Sequence, residues 1–398
     1  MKYQTKNIVP IIILRIPYFN LNYFMNILVS KPLFSGNESK YTSRVIESTE
    51  ISGTFGEFIP KFEREFAEYC GCKYGVATTS GTTALHLAVA ALGIERGDEV
   101  LVSTFTNMAT FFAVLYQGAK PIPIDIEEDT WNLNPALLEA KITPKTKAII
   151  VVHIYGHPVD MDPILEIAKK HNLFVIEDAA EAHGALYKGK KIGGSLSDIA
   201  CFSFYANKIL TTGEGGMITT NNEELAKKAK MLQSLAYGSG DENRFMHRAV
   251  GFNYRMTNIQ AAIGCAQLEN IEKVIEMKRN IARFYQGKLE KIEDIQLPIE
   301  KEYAKNVYWM YHLVLRGKWE GKRVQVMEEL QKRGVQTREA FMPANMQKIF
   351  IEQGLMKFEM CPVANKVGEN GFYIPSGPQI SEEELDYVTK QLNEVLKK

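Results

Sequence analysis

The chain has 398 residues, which is enough for two structural units or for one large domain with a smaller one attached. Its 47 lysines and arginines balance 47 aspartates and glutamates. The chain therefore has no net positive charge that would attract nucleic acid or an anionic membrane, and this favours a small-molecule partner. The five cysteines are few and scattered, which indicates a reduced, cytoplasmic compartment rather than a disulfide framework. No metal site is expected, because Cys70-Gly71-Cys72 lacks a second pair at zinc-ligand spacing.

Residues 1–30 form an atypical N-terminal extension. The apolar run from Ile8 to Pro17 is interrupted by two prolines and Arg15, and it is much shorter than the roughly 20 apolar residues that a membrane span needs. We therefore expect no membrane span. A signal peptide is one interpretation, but no small-residue cleavage site follows. The alternative is an appended or mis-started segment, with Met25 as the true start.

From about residue 75 to residue 220, short apolar runs alternate with amphipathic stretches. This pattern predicts an α/β fold, with a mostly parallel sheet covered by helices. Candidate helices lie between most of the strands, such as Thr82–Leu92 and Met161–His171, and the second of these ends at Asn172. The predicted strands are Tyr74–Thr78, Glu99–Ser103, Lys120–Ile124, Ala148–His153, Leu173–Glu177, Ile199–Phe204 and Gly216–Thr220.

The stretch from Asn258 to Leu289 carries apolar residues at helical spacing and predicts a helix that links the large unit to a smaller C-terminal one. We therefore predict a large domain over residues 31–265, and a linking helix with a small domain over residues 266–398. The elements expected in the small domain are a strand over Tyr308–Leu315, a helix over Arg323–Arg333 ending at Gly334, and a final helix near Ser381–Leu396 with Glu384 supporting its cap.

The segment Thr78-Thr-Ser-Gly-Thr-Thr-Ala-Leu-His86 places small hydroxyl and glycine residues where a predicted strand ends and a helix begins. Exposed N–H groups at that helix start, together with the helix dipole, form a natural seat for a phosphate group. The same residue types also make ordinary helix caps, so the motif alone leaves both interpretations open.

A second predicted strand delivers Asp178 at its C-terminal end, in Leu173-Phe-Val-Ile-Glu-Asp178-Ala-Ala-Glu181-Ala-His183-Gly184. Ligands of open α/β sheets bind at that edge. A carboxylate there is able to hold a metal or to cap a helix. It is also able to bind the protonated ring nitrogen of pyridoxal phosphate, which strengthens that cofactor as an electron sink.

Lys208 follows a strand rich in aromatic residues and precedes the glycine cluster that ends at Gly216. Most lysines are solvated surface charges, but a desolvated lysine has a lowered pKa and attacks an aldehyde as the free amine. The cluster lacks the Gly-Lys-Ser/Thr ending of a P-loop. In chain order, the helix start, then Asp178, then Ser203 and Lys208 supply binding groups for the three parts of pyridoxal phosphate that a protein must hold. These parts are the phosphate, the ring nitrogen and the aldehyde carbon.

From about Lys31 to its C-terminus the chain resembles the DegT-type (DegT/DnrJ/StrS) nucleotide-sugar aminotransferases, a family of the fold-type I aminotransferase class. The similar segments are Ser-Gly-Thr-Thr-Ala-Leu-His, Glu-Asp-Ala-Ala-Glu-Ala-His-Gly, Phe-Ser-Phe-Tyr-Ala-Asn-Lys and Gly-Phe-Asn-Tyr-Arg-Met-Thr-Asn258. The resemblance implies a pyridoxal-phosphate-dependent transaminase with a large sheet domain and a smaller C-terminal α/β domain. It also implies a homodimer whose two active sites lie at the subunit interface.

The resemblance further implies roles for single residues. Lys208 would be the catalytic residue and form the Schiff base. The remaining cofactor contacts would be Gly81, Thr82 and Ser203 on the phosphate, Asp178 on the ring nitrogen, Glu181 on the ring hydroxyl, and Asn253 on the phosphate of the neighbouring subunit's cofactor.

Three further residues are open between substrate contact and packing. His183 is either a base or a packing residue beside the cofactor, and Arg338 either meets a nucleotide phosphate or forms a surface salt bridge. Asn107 stands where the family usually stacks an aromatic ring on the cofactor, which leaves Phe105 and Phe111 as candidates for that stacking.

The substrate expected from the resemblance is GDP-4-keto-6-deoxymannose, aminated with glutamate as donor to GDP-perosamine for surface polysaccharide such as lipopolysaccharide O-antigen. The segments from Tyr155 to Met161 and from Thr211 to Met217 are the ones most similar to the members that use this sugar. Glu50 stands where relatives often carry tryptophan, so a UDP- or dTDP-linked 4-keto or 3-keto sugar is the alternative. A non-catalytic protein that senses pyridoxal phosphate or a sugar is a second one. Lys208 argues against the dehydratase relatives, which carry histidine at that position.

Overall fold

The structure is a computed structural model that describes residues 26–194, 196–237 and 245–397. The predictions for the run from Ile8 to Pro17 and for Met25 lie outside these residues. Residues 26–30, the last part of the predicted extension, lie against the C-terminal part of the chain. The Ile27 N–H donates to the carbonyl of Gly334 at 2.8 Å, and the carbonyl of Val29 accepts from the Ser376 N–H at 2.9 Å.

The described residues form fourteen strands and twelve α-helices, besides short 3-10 turns. The strands are β1 (Tyr74–Thr78), β2 (Glu99–Ser103), β3 (Lys120–Ile124), β4 (Thr146–Val152), β5 (Phe174–Asp178), β6 (Leu186–Tyr187), β7 (Lys190–Lys191), β8 (Ile199–Ser203), β9 (Gly216–Thr220), β10 (Ile295–Gln296), β11 (Ala304–Lys305), β12 (Tyr311–Leu315), β13 (Arg338–Glu339) and β14 (Gly371–Ile374). The helices are α1 (Glu38–Ser48), α2 (Phe58–Cys70), α3 (Gly81–Ala91), α4 (Ala109–Tyr116), α5 (Met161–His171), α6 (Glu223–Gln233), α7 (Asn258–Leu268), α8 (Ile271–Leu289), α9 (Arg323–Lys332), α10 (Lys348–Glu352), α11 (Pro362–Asn370) and α12 (Glu382–Leu396).

A seven-stranded sheet in the order β1-β9-β8-β5-β4-β2-β3 is the centre of the molecule. All neighbouring pairs from β8 to β3 are parallel, and only β9 runs antiparallel, to β1 on one side and to β8 on the other. The predicted mostly parallel sheet and the α/β fold are therefore confirmed.

Residues along the central strands alternate between two apolar layers, one on each face of the sheet. In β4, Ile149 and Val151 belong to one layer, whereas Ala148 and Ile150 belong to the other. Parallel strands that are covered by helices on both faces need this composition, because neither face meets water. The sheet is thereby held rigidly, and its edges are fixed platforms for functional side chains.

The C-terminal part contains a second sheet of four strands in the order β10-β12-β14-β13. Its own apolar core includes Tyr285, Leu313, Phe372 and Val388. A three-stranded sheet in the order β11-β6-β7 joins this part to the segment that follows β5. The predicted division near residue 265 stays a prediction. Every helix of the described residues is too short or too polar to serve as a bilayer span.

Two predicted elements differ from the structure. The single helix predicted from Asn258 to Leu289 is two helices, α7 and α8, separated at Glu269 and Asn270, because α7 packs against α1 and α2 whereas α8 packs against α12. The strand predicted from Tyr308 begins only at Tyr311, since Tyr308 has a left-handed φ of 49° that a strand does not accommodate. Other boundaries differ by one or two residues, as helix and strand ends commonly do.

Candidate active site

The carboxyl ends of the parallel strands meet at one edge of the large sheet, and a cavity of about 360 Å³ opens there. Its walls come from the start of α3, the ends of β5 and β8, and aromatic side chains of the C-terminal part. Its lining includes Gly81, Thr82, Asn107, Asp178, Glu181, Ser203, Tyr205, Lys208, Trp309, Phe341 and Tyr373.

The start of α3 forms one wall of this cavity. Ser80 caps the helix, because its hydroxyl accepts the Thr83 N–H at 3.2 Å while the Thr83 hydroxyl accepts the Ser80 N–H at 3.0 Å. The N–H groups of the next residues, Gly81 and Thr82, have no acceptor within a helix. A Cβ on Gly81 would lie only 2.7 Å from Cβ of Ser203, so this close approach requires glycine. The helix start and the Ser203 hydroxyl therefore share one wall that suits an anion.

Asp178 is the last residue of β5 and is buried beneath the cavity. Its Oδ2 accepts the Thr110 hydroxyl at 2.7 Å, and its Oδ1 accepts the Ala180 N–H at 3.2 Å. Burial raises the pKa of the Asp178 carboxyl, against the opposing effect of these two donors and of the Lys208 charge. A cation placed beside this carboxylate would therefore bind strongly and keep it ionised.

Lys208 has only 10% of its side chain exposed, and its Nζ lies 4.0 Å from Oε1 of Glu181. The other Glu181 oxygen accepts the Tyr155 N–H at 2.6 Å. Nζ also lies 3.6 Å from the centre of the Trp309 ring. Burial lowers the pKa of Lys208, against the charges of Glu181 and Asp178, and burial raises the pKa of Glu181. Both groups are thereby moved towards their neutral forms, which suits proton transfer.

The loop that carries Lys208 joins two paired strands, β8 and β9. It is closed at its base by hydrogen bonds from the Phe204 N–H to the Gly215 carbonyl at 2.8 Å and from the Thr212 N–H to the Phe204 carbonyl at 3.0 Å. The Lys208 N–H itself donates to the carbonyl of Tyr205 at 2.9 Å. The backbone of the lysine is therefore fixed by the protein alone.

The model of the DegT/DnrJ/EryC1/StrS aminotransferase family matches residues 34–393. The chain belongs to this family. It is 44% identical over 93% of its length to the GDP-perosamine synthase of Caulobacter vibrioides, covering 98% of that protein. It is 42% identical over 92% of its length to the GDP-perosamine synthase of Escherichia coli O157:H7, covering 97% of that protein. The predicted enzyme class, an aminotransferase, is confirmed by this membership.

A solved relative supports the same fold. The putative sugar aminotransferase Spr1654 from Streptococcus pneumoniae, in its PLP-form, matches with a TM-score of 0.88 at 26% identity, over 94% of this chain and 99% of its own. The predicted fold of this aminotransferase class is therefore confirmed over nearly the whole chain.

The structure brings most of the predicted site residues of this family member into one cavity. Seven of them line it, namely Gly81, Thr82, Asn107, Asp178, Glu181, Ser203 and Lys208. Their roles stay predictions, but their placement is consistent with a single ligand site.

His183 is fully buried below the cavity, among the rings of Phe66, Phe202 and Phe204. Neither of its ring nitrogens has a hydrogen-bond partner in the described part of the chain. Burial lowers the pKa of His183 to about 3, so the ring is neutral at physiological pH. This environment favours the packing interpretation.

Asn107 is exposed at the cavity and its side chain accepts the Ala109 N–H at 3.0 Å, at the start of α4. Neither candidate for replacing its stacking ring reaches the cavity lining. Phe105 is buried against Tyr155 and Phe341, and Phe111 is buried against Phe350. The suggestion that Phe105 or Phe111 stacks on the cofactor is therefore wrong, because both rings are part of the core.

Asn253 and Arg338 lie outside the lining of this cavity. Asn253 is exposed and its backbone pairs with Ser234. Arg338 is exposed on β13, where it is the register partner of the cavity residue Tyr373. Arg338 thus lies next to the cavity wall, and Asn253 precedes Tyr254, whose carbonyl accepts the Thr79 N–H at 3.0 Å.

Of the site side chains that sequence reasoning missed, Thr110 contacts Asp178 and Trp309 contacts Lys208. Thr110 was not singled out, although its hydroxyl lies 2.9 Å from that of Thr106, four residues before it and ahead of α4. Trp309 comes from a segment about 100 residues after Lys208, and no local pattern connects the two. The local spacing of threonines was thus a weak indication of Thr110, and the sequence contained no indication of Trp309.

Proposed function

We propose that the protein is a pyridoxal-phosphate-dependent aminotransferase that moves an amino group from glutamate to GDP-4-keto-6-deoxymannose, forming GDP-perosamine for surface polysaccharide. The observation that carries this proposal is the buried Lys208 amine, which shares one cavity with the carboxylates of Asp178 and Glu181 and with a helix start. The choice of sugar is supported by the two relatives called GDP-perosamine synthase.

The cavity residues fit the parts of this cofactor. The N–H groups of Gly81 and Thr82 and the Ser203 hydroxyl would hold the phosphate. A side chain at position 81 would come within 2.7 Å of the Ser203 Cβ, so glycine is needed there for Ser203 to lie beside the helix start. Asp178 would hold the ring nitrogen. Burial raises the pKa of this carboxyl, and the positive charge of the protonated ring would lower it again. Glu181 would contact the ring hydroxyl, and Lys208 would bond to the aldehyde carbon.

When bound, the cofactor supplies an aldehyde that takes up the amino group and a ring that withdraws electrons. Lys208 is the residue that moves the proton, because burial favours its neutral amine and Glu181 holds that amine in place. Asp178 stays ionised and orients the ring. The cavity walls leave only a tenth of the Lys208 side chain exposed, which limits its contact with water.

We also propose that the enzyme is a homodimer. Tyr205 lines the cavity and is still 48% exposed, and Tyr116 is 59% exposed. Tyr116 packs against His86, whose Nδ1 lies 2.9 Å from the Tyr254 hydroxyl, next to Asn253. Exposed aromatic side chains are enriched at subunit contacts, and a contact on this surface would bring Asn253 towards the partner's cofactor.

The cofactor part of the proposal is tested by absorbance. The purified protein should absorb in the visible region, and Lys208→Ala should lack that band, whereas Lys170→Ala, at an exposed lysine on α5, should keep it. A wild-type protein that stays colourless after incubation with pyridoxal phosphate would disprove the cofactor assignment.

The substrate part is tested with glutamate and a panel of GDP-, UDP- and dTDP-linked 4-keto and 3-keto sugars. We expect an aminated product from GDP-4-keto-6-deoxymannose and formation of 2-oxoglutarate. Product only from a UDP- or dTDP-linked sugar would refute the GDP-perosamine proposal and leave the aminotransferase class intact.

A further inference from the structure

Trp309 contacts Lys208 in two ways. The Lys208 amine lies over the face of the indole ring, with Nζ 3.6 Å from the ring centre. The indole N–H donates to the backbone carbonyl of Asn207, the residue before the lysine, at 2.8 Å. A desolvated ammonium over an indole face is among the stronger cation–π arrangements. One side chain from the C-terminal part thus fixes both the backbone and the amine of the lysine.

Two tyrosines near the contact between Trp309 and Lys208 have a left-handed backbone conformation. Tyr308, directly before Trp309, has a φ of 49°, and Tyr155 has a φ of 51°. Such angles are unfavourable for aromatic residues and persist only where the surroundings enforce them. The Tyr308 N–H is tied to the Asn306 side chain at 2.7 Å, which turns the chain so that Trp309 faces the lysine.

Tyr155 contacts Glu181, the carboxylate that lies beside the Lys208 amine. Its N–H donates to Glu181 at 2.6 Å, and its ring lies parallel to that of Trp309, with the ring centres 6.3 Å apart. The amine of Lys208 is therefore held between a carboxylate and an indole face, and a strained tyrosine sets the position of each.

We propose that Trp309 is a positioning residue that holds the Lys208 amine over its ring, beside Glu181, whenever the lysine is not bonded to the cofactor. The proposal rests on the proposed function, in which the released lysine carries the proton. A free lysine side chain has several rotatable bonds, and the indole face restricts it to the one position from which it returns to the cofactor.

The charged and titratable groups around the Lys208 amine determine its pKa. Two carboxylates face the amine, Asp178 at the end of β5 and Glu181 after it. The other groups around it are His183 below, Glu214 in the cavity lining, and Lys278 of α8, which lines a small cavity behind Asn207 and Trp309. The two carboxylates and the indole face favour the ammonium form of Lys208. Removing the ring should therefore lower the pKa of this amine.

The test uses cofactor-free protein and measures the rate at which added pyridoxal phosphate develops the visible band, as a function of pH. Only the neutral amine attacks the aldehyde, so the pH midpoint of this rate follows the amine. We expect Trp309→Leu to lower the midpoint by about one pH unit, from the strength of a buried cation–π contact. Trp309→Phe should shift it by less than half as much, because it keeps a ring face.

Both variants lose the hydrogen bond to Asn207, so the difference between them isolates the ring. Equal midpoints for Trp309→Leu and Trp309→Phe, or a Trp309→Leu midpoint equal to that of the wild type, would overturn the proposal. If Trp309→Leu does not fold, a Trp309→Phe midpoint below that of the wild type supports it and an unchanged one overturns it. A wild type that develops no band would instead disprove the proposed function, and Lys208→Ala gives the blank.

Discussion

Thr110 should control how tightly the cofactor is held, through its hydrogen bond to Asp178. Its hydroxyl has one proton, and the 2.7 Å contact to the carboxylate is shorter than its 3.1 Å contact to the Asn107 carbonyl. Thr110→Val keeps the shape of the buried side chain and removes that donor. A hydrogen bond to a charged group contributes about 1.5–3 kcal/mol, so the Kd for pyridoxal phosphate should rise about 10- to 140-fold.

The change should also depend on pH in a defined direction. Burial already raises the pKa of Asp178, and Thr110 is the largest group that lowers it. Without that donor, the carboxylate takes up a proton at higher pH and loses its attraction for the ring nitrogen. The defect of Thr110→Val should therefore deepen as the pH falls.

The assay is a titration of cofactor-free protein with pyridoxal phosphate, followed by absorbance or tryptophan fluorescence at several pH values. Thr110→Ser is the matched control, because it keeps the hydroxyl and loses only a methyl group. The reasoning is refuted if Thr110→Val binds as tightly as Thr110→Ser at every pH.

Three further results are expected. Lys278 is buried with its amine on the Ser376 carbonyl, and burial lowers its pKa from 10.5 to about 7. The unfolded chain therefore binds the extra proton between these values, so the unfolding free energy of the wild type should rise with pH there, by about 2 kcal/mol between pH 7 and 9 relative to Lys278→Met in matched denaturant titrations. Gly81→Ala should weaken binding of pyridoxal phosphate at least tenfold, measured by equilibrium dialysis with inorganic phosphate as competitor, whereas Gly287→Ala, at an open position of helix α8, should not. His183→Gln should reduce thermal stability and leave the pH profile of kcat unchanged, since the wild-type ring is already neutral.

The central sheet was predictable because its strands are buried on both faces. A continuous apolar run such as Ile149 to Val152 is compatible with few other environments, and several predicted strands agree with the structure at both ends. The order of Gly81, Asp178, Ser203 and Lys208 along the chain was equally informative. Each lies at or after the carboxyl end of a strand of the same sheet, and parallel strands carry their carboxyl ends to one edge.

Contacts between distant segments were not predictable in the same way. The break between α7 and α8 depends on which helices each of them packs against, and the shortened β12 depends on the left-handed backbone of Tyr308. Phe105 and Phe111 lie beside Asn107 in sequence, yet both rings pack in the core. Sequence proximity therefore suggested a stacking partner that the three-dimensional packing excludes.

The closed base of the loop between β8 and β9 bears on how the enzyme is handled. Because backbone bonds of Phe204, Gly215 and Thr212 and the bond from the Trp309 indole to the Asn207 carbonyl fix the loop, the lysine does not depend on a bound ligand for its place. Protein that has been stripped of its cofactor during purification should be restored by simple mixing, without refolding. The same preparation is then open to cofactor analogues, which makes exchange of the prosthetic group a practical route to labelled or modified enzyme.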